Sequence, residues 1–197
     1  MDSIIFATID NGCYEIYLGL CSIHNMIIME PDTSPARIYN RILEATPARY
    51  VCFIHSDVTC NGLEAAIMKT IAEYPGHILC AVGVDGPQGY KWSKADTVSR
   101  LITGDSCCVV IDKEMGLMFD DKTFNGFHCY VEDICMQAGK VSTILIDAFD
   151  GLNPLPAYPD KYVIHHSHTL RRSGAAWGDY WKYRALLETK WPGVQTT

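Results

Sequence analysis

The feature that most constrains this chain is the alternation, through its first half, of short apolar runs with amphipathic segments of helical period. The runs are Ser3 to Thr8, Met26 to Met29, Val51 to Ile54 and His77 to Val84, each with the length and apolar content of a strand. Between them, Tyr14 to His24 places Ile16, Leu20 and Ile23 on one side, which predicts a helix. Thr33-Ser34-Pro35 reads as an N-cap followed by a first-turn proline, and the helix it opens carries Ile38, Ile42 and Leu43 to about Ala45. A third helix is expected from Leu63 to Tyr74, with Leu63, Ile67 and Ile71 in register. Strand and helix in alternation are the signature of right-handed βαβ units and a largely parallel sheet.

The second half is less regular. Lys91 to Val98 is polar and is expected to be a mobile loop, a lid over any site beside it. Cys107 to Ile111 reads as a strand, and Phe119 to Cys129 as a loop rich in Asp, Asn and Gly. A helix from about Val131 to Ala138 is stopped by Gly139, with a β-like stretch from Val141 to Ile146 after it. Asn153 to Pro159 holds three prolines and must be irregular. Tyr162 to Ile164 is a last strand, and Ala175 to Trp191 is a helix-compatible tail with three Trp and two Tyr.

A chain of 197 residues, 48% hydrophobic and 20% charged, is long enough for a proper core and is not a disordered chain. Its net charge of −7, with no basic cluster beyond Arg171-Arg172 and Lys182-Tyr183-Arg184, argues against nucleic acid as a partner. The nine cysteines include no C-x-x-C and sit mostly in apolar runs, which suits a reducing compartment. No apolar stretch reaches membrane-spanning length and the N-terminus lacks a signal-peptide pattern, so a cytoplasmic protein is expected. Peripheral membrane association and homo-oligomerisation stay open.

Polar residues concentrate at strand ends, where open α/β sheets bind ligands. Val51 to Ile54 delivers His55-Ser56-Asp57, and Asp57 there either holds a hard divalent cation or caps the following turn. His165-His166-Ser167-His168 follows another strand, and neutral imidazole is a good ligand for Mn²⁺. Three histidines in four residues are more than a bland turn would use. Glu132-Asp133 enters a helix, where acids complement the dipole or one of them serves as a general base. Thr8, Glu30 and Asp32 also follow strands and can meet a base or ribose, although ordinary loop polarity explains them equally well.

In order, these segments resemble a GT-A glycosyltransferase of the inverting family 2 type, in particular its streptomycin-biosynthesis-like branch, over about Ile4 to Trp191. Tyr39-Asn40 before Phe53-Ile54-His55-Ser56-Asp57-Val58 is similar to that branch's Tyr-Asn and Phe-x-His-x-Asp-Val. Gly104-Asp105-Ser106-Cys107-Cys108 resembles its Asp-Gly-Cys-Cys strand, and Phe119-Asp120 with Gly126-Phe127-His128-Cys129-Tyr130 its acceptor segment. His165-His166-Ser167, with Trp177 and Lys190-Trp191 behind it, matches the terminal pattern.

The resemblance implies a mixed, mostly parallel α/β sheet flanked by helices, with an aromatic helical tail. It implies one domain over residues 1–197: a nucleotide-sugar half to about 100, an acceptor and metal half to about 170, and the tail beyond. It implies metal-dependent transfer from a nucleoside-diphosphate sugar to a hydroxyl-bearing glycan or small molecule, with Mn²⁺ or Mg²⁺. Thr8, Glu30, Asp32, His55, Asp57 and Asp105 would face the donor, and Asp57 with His165 or His166 the metal. His55 stands where the first acid of the family's DxD motif falls, and Val131 where the first acid of its acceptor pair falls. The base is then Asp133, which keeps the match, or Glu132. Two alternatives are a sugar-phosphate nucleotidyltransferase and a catalytically impaired sugar-nucleotide-binding module.

Overall fold

The computed structural model describes residues 3–10, 12–29, 34–86, 89–151, 160–166 and 175–196. Strands β1 (Ile4–Ile9), β2 (Met26–Met29) and β3 (Tyr50–Ile54) run parallel, with helix α1 (Pro35–Ala45) crossing between the last two. Ser34 caps α1 by accepting the Arg37 N–H at 3.3 Å, and Pro35 fills the first turn, where its missing N–H costs nothing. The chain continues through β4 (Val58–Asn61), α2 (Leu63–Glu73), β5 (Ile78–Cys80), β6 (Val82–Val84) and β7 (Tyr90–Trp92). Next come β8 (Arg100–Leu101), β9 (Thr103–Gly104), β10 (Cys108–Asp112) and α3 (Tyr130–Ala138), then β11 (Val141–Thr143), β12 (Asp147–Asp150), β13 (Tyr162–His165) and α4 (Ala175–Lys190).

The central sheet has the order β2-β1-β3-β10-β5-β11-β8, with five strands in one direction and β10 and β8 reversed. β3 lies near its middle, and all five of its residues are buried. Val51 and Phe53 face a core shared with α1, α3 and α4, while Tyr50, Cys52 and Ile54 face a second core under α2. Such a strand reads as a continuous apolar run because neither face meets water. Tyr39 of α1 stacks on Phe53 with centroids 4.0 Å apart, and the neighbouring Asn40 side chain exchanges two hydrogen bonds with the Phe119 backbone, at 2.9 and 2.8 Å. The Tyr-Asn pair therefore packs the central strand and pins the loop that leads to α3. The expected mixed, mostly parallel sheet with a helical tail is the architecture observed.

Four local expectations are corrected. Tyr14 to His24 is a series of turns around one 3-10 turn, Leu18–Leu20, because the Asp10 carboxylate takes the Gly12 and Tyr14 N–H groups and seeds a turn. Two of its three presumed inner residues are outward, Ile16 at 61% and Leu20 at 77% exposure, while Ile23 packs partly against the second core. The run His77 to Val84 is two strands, since Ala81 N–H pairs with Cys108 and the chain then leaves the central sheet for a β7-β6-β9 sheet. Gly83 permits that departure, because a Cβ there would strike the Thr103 carbonyl. Within Lys91 to Val98, β7 pairs with β6, and the Ser93 hydroxyl donates to Cys80 O and accepts from Ile144 N–H, so this stretch is anchored. Val141 to Ile146 keeps only its first half as strand. Asn153 to Pro159 lies outside the described residues.

Candidate active site

The end of β3 and the second small sheet, β12-β13-β4, together build the site. After Ile54 the chain turns through His55, Ser56 and Asp57 directly into β4, which pairs antiparallel with β13 so that Val58 faces His165. The His166 N–H donates to the Asp57 carbonyl at 2.9 Å, locking the register. Three ligand-type side chains converge as a result. Asp57 Oδ1 lies 3.5 Å from His165 Nε2 and 3.8 Å from His55 Nδ1, and the two imidazole centroids are 5.4 Å apart.

Asp57 is only 4% exposed, and its Oδ1 has no hydrogen-bond partner among the described residues. A buried carboxylate oxygen without a donor is costly and asks for a cation. Burial raises the Asp57 carboxyl, yet the adjoining His165 and His55 outweigh it and hold its pKa at about 2. Burial lowers His55, against the pull of Asp57, which favours the neutral imidazole that a metal needs. One carboxylate and two imidazoles, all with ligand atoms within 4.8 Å of one another, fit a divalent cation with open positions for a diphosphate.

His165, the last residue of β13, and His166 just beyond it face different ways. His166 Nε2 is 3.0 Å from the Thr59 hydroxyl, and its ring stacks on Tyr17 at 4.4 Å, so His165 is the one that faces Asp57. His168 lies outside the described residues, as do Glu30 and Asp32. Thr8 is fully buried with its hydroxyl unpartnered among the described residues. Strand alternation puts it on the side of Phe6, away from Ile9, which lines a recess with His55, Ser56, Tyr39 and Phe127. Asp105, at the turn between β9 and β10, comes near His165 together with Cys107. Its Oδ1 also accepts the Cys107 N–H at 2.7 Å, and burial pushes the Cys107 thiol well up, keeping it protonated.

The two adjacent acids of α3 separate completely. Successive helical residues point about 100° apart, and here both acids are buried, Glu132 at the wall of a small recess and Asp133 inside the core. Glu132 lines a recess of about 90 Å³ with Asp105, Ser106, Phe127, His128 and Tyr180. Asp133 is 0% exposed, and its oxygens accept from Trp191 Nε1 at 2.7 Å, Gln137 Nε2 at 2.8 Å and Lys190 Nζ at 2.9 Å. Lys190 also reaches Asp120 at 2.8 Å. Asp133 thus ties the end of α4 to α3. Phe127, 56% exposed, borders both the Glu132 recess and the His55 recess, so the two adjoin. Sequence reasoning missed Tyr180 and the part Lys190 and Trp191 play at Asp133. No local pattern marks contacts made 57 or 58 residues along the chain.

No protein-family model and no curated protein sequence matches the chain. Solved structures do. GalNAc-T7, solved with UDP, GalNAc and Mn²⁺, superposes with a TM-score of 0.56 at 7% identity, over 83% of this chain and 43% of that one. TarS 1–349 of S. aureus, solved with UDP-GlcNAc, gives 0.54 at 12% identity over 94% of this chain and 66% of that one. The same protein with UDP gives 0.51 at 13% identity, over 94% and 65%. The chain therefore spans less than two thirds of each of these structures, and what it shares with them is the GT-A fold.

Proposed function

We propose that this chain is a nucleotide-sugar glycosyltransferase of the inverting family 2 type, moving a sugar from a nucleoside-diphosphate donor to a hydroxyl acceptor. The observation that carries the proposal is the buried Asp57 Oδ1 at a strand end, without a hydrogen-bond donor among the described residues, faced by His165 and His55. The bound UDP and UDP-GlcNAc of the structural neighbours make UDP the first nucleotide to test.

In this reading Asp57, His55 and His165 hold Mn²⁺ or Mg²⁺, and the cation, when bound, neutralises the departing diphosphate. Asp105 supports the same end of the site. Glu132 takes the proton of the acceptor hydroxyl as that oxygen bonds to the anomeric carbon, on the face opposite the breaking bond to the diphosphate. One displacement needs one base and no covalent enzyme intermediate, so the anomeric configuration inverts. Asp133 serves as the anchor of α4, because all its acceptor capacity is directed at Trp191, Gln137 and Lys190.

The test is turnover of UDP-sugars with Mn²⁺, with and without EDTA, with the product's anomeric configuration read by NMR. Activity should need the metal, invert the configuration, and fall by about 10²–10⁴-fold in Glu132→Gln at unchanged melting temperature. Full activity in EDTA, or a retained configuration, contradicts the proposal. Metal-dependent UDP binding without any turnover would instead identify a binding module.

A further inference from the structure

Apart from the metal cluster, one pair of groups stands out chemically. All nine cysteines lie among the described residues, and Cys21 is the single one that is not buried. It ends the 3-10 turn Leu18–Leu20, and its Sγ accepts the Cys60 backbone N–H at 3.0 Å. That nitrogen is one bond from the Cys60 Cα, so the two cysteines lie side by side. Cys60 is 4% exposed on β4 and borders a cavity of about 360 Å³, which Ser22, Ile23, Leu63 and Met68 also line. A small reagent can therefore meet the partly exposed Cys21, and the cavity opens onto its neighbour Cys60, whereas the other seven are buried.

We propose that Cys21 and Cys60 form a peroxide-reactive dithiol, with Cys21 as the attacking sulfur and Cys60 as the resolving one. The Cys21 thiolate attacks hydrogen peroxide, an S–O bond forms as the O–O bond breaks, and the released hydroxide leaves as water. Cys60 sulfur then attacks the Cys21 sulfenic acid, an S–S bond forms as the S–O bond breaks, and a second water departs with the Cys60 proton. Two thiols are oxidised to one disulfide and one peroxide is reduced to two waters.

The asymmetry of the pair supports this order. The hydrogen bond from Cys60 outweighs burial and, with the Cys60 N–H, lowers Cys21 to about 7, while Cys60 is pushed well up. A thiol with a pKa near neutrality combines thiolate fraction with nucleophilicity. The disulfide would fasten the Cys13 to His24 segment to β4, three residues after Asp57 and opposite Val163 of the His165 strand.

The full-length chain is treated with a small molar excess of hydrogen peroxide at neutral pH, unfolded, alkylated and mapped by tandem mass spectrometry. Two of the nine thiols should be lost to alkylation, and the linked peptide should join Cys21 to Cys60. In Cys60→Ser, dimedone should label Cys21 in place of the disulfide. Nine alkylatable thiols after treatment, or a linkage or dimedone adduct that omits Cys21, overturns the proposal. If Cys60→Ser does not fold, the map of the unaltered chain decides alone.

Discussion

Replacing Asp133 by Ala should destabilise the protein by about 3 kcal/mol, for reasons visible around its carboxylate. The substitution strands the Trp191 Nε1–H and Gln137 donors and removes the buried partner of Lys190. Breaking a buried pair by deleting one member typically costs about 3–5 kcal/mol. The lower end applies because Lys190 is 33% exposed and keeps Asp120 at 2.8 Å, so its charge is not isolated. In a domain of this size about 3 kcal/mol lowers the melting temperature by about 6–12 °C. Thermal unfolding followed by circular dichroism reads that shift, and sugar transfer below the transition reads the catalytic effect. The expected pattern is a large stability loss with turnover largely kept in the folded fraction, and the reverse in Glu132→Gln. An Asp133→Asn protein with unchanged melting temperature and abolished turnover would refute the assignment and make Asp133 the base.

Other consequences follow from the same contacts. His166→Ala should cost about 1–2 kcal/mol, from the lost Thr59 contact and Tyr17 stacking, yet leave Mn²⁺ affinity within about twofold by titration calorimetry. Mn²⁺ affinity should hold at pH 7 and be lost only as pH falls below the ordinary imidazole range, because burial holds the His55 pKa beneath that range before protons compete for it, while Asp57, with a pKa of about 2, stays ionised. Burial raises Asp120, but its bond to Lys190 and the Thr123 contacts bring its pKa down to about 2. Its contribution is present above the unfolded pKa near 3.9, fades as pH falls from there toward 2, and is worth about 1 kcal/mol after solvent screening. Lys190→Met should remove that part of the acid dependence in urea titrations between pH 5 and 2.

The sequence was most legible where one local rule decided the structure. Val51 to Ile54 is apolar without interruption because both faces of β3 are covered, and Ser34-Pro35 starts α1 because cap and ring act within one turn. His55-Ser56-Asp57 could be placed at a strand end for the same reason. Tyr14 to His24 misled, since its helical period is real but an Asp10-centred turn breaks it and no element among the described residues covers Ile16 and Leu20. His77 to Val84 could not be seen as two strands, because the break depends on Gly83 approaching β9, about twenty residues on. Glu132 and Asp133 are alike in sequence and both buried, yet Glu132 borders a recess while Asp133 is tied to Gln137, Trp191 and Lys190. Only Lys190 and Trp191, arriving from α4, separate anchor from candidate base.

Asp57 remains the residue around which the site turns, and calorimetric binding of UDP with Mn²⁺ tests it most directly. UDP should bind with Mn²⁺ present, and the heat should vanish in EDTA and in Asp57→Ala protein that melts as the unaltered protein does. Binding of UDP with equal affinity without metal, or in folded Asp57→Ala, would contradict the account.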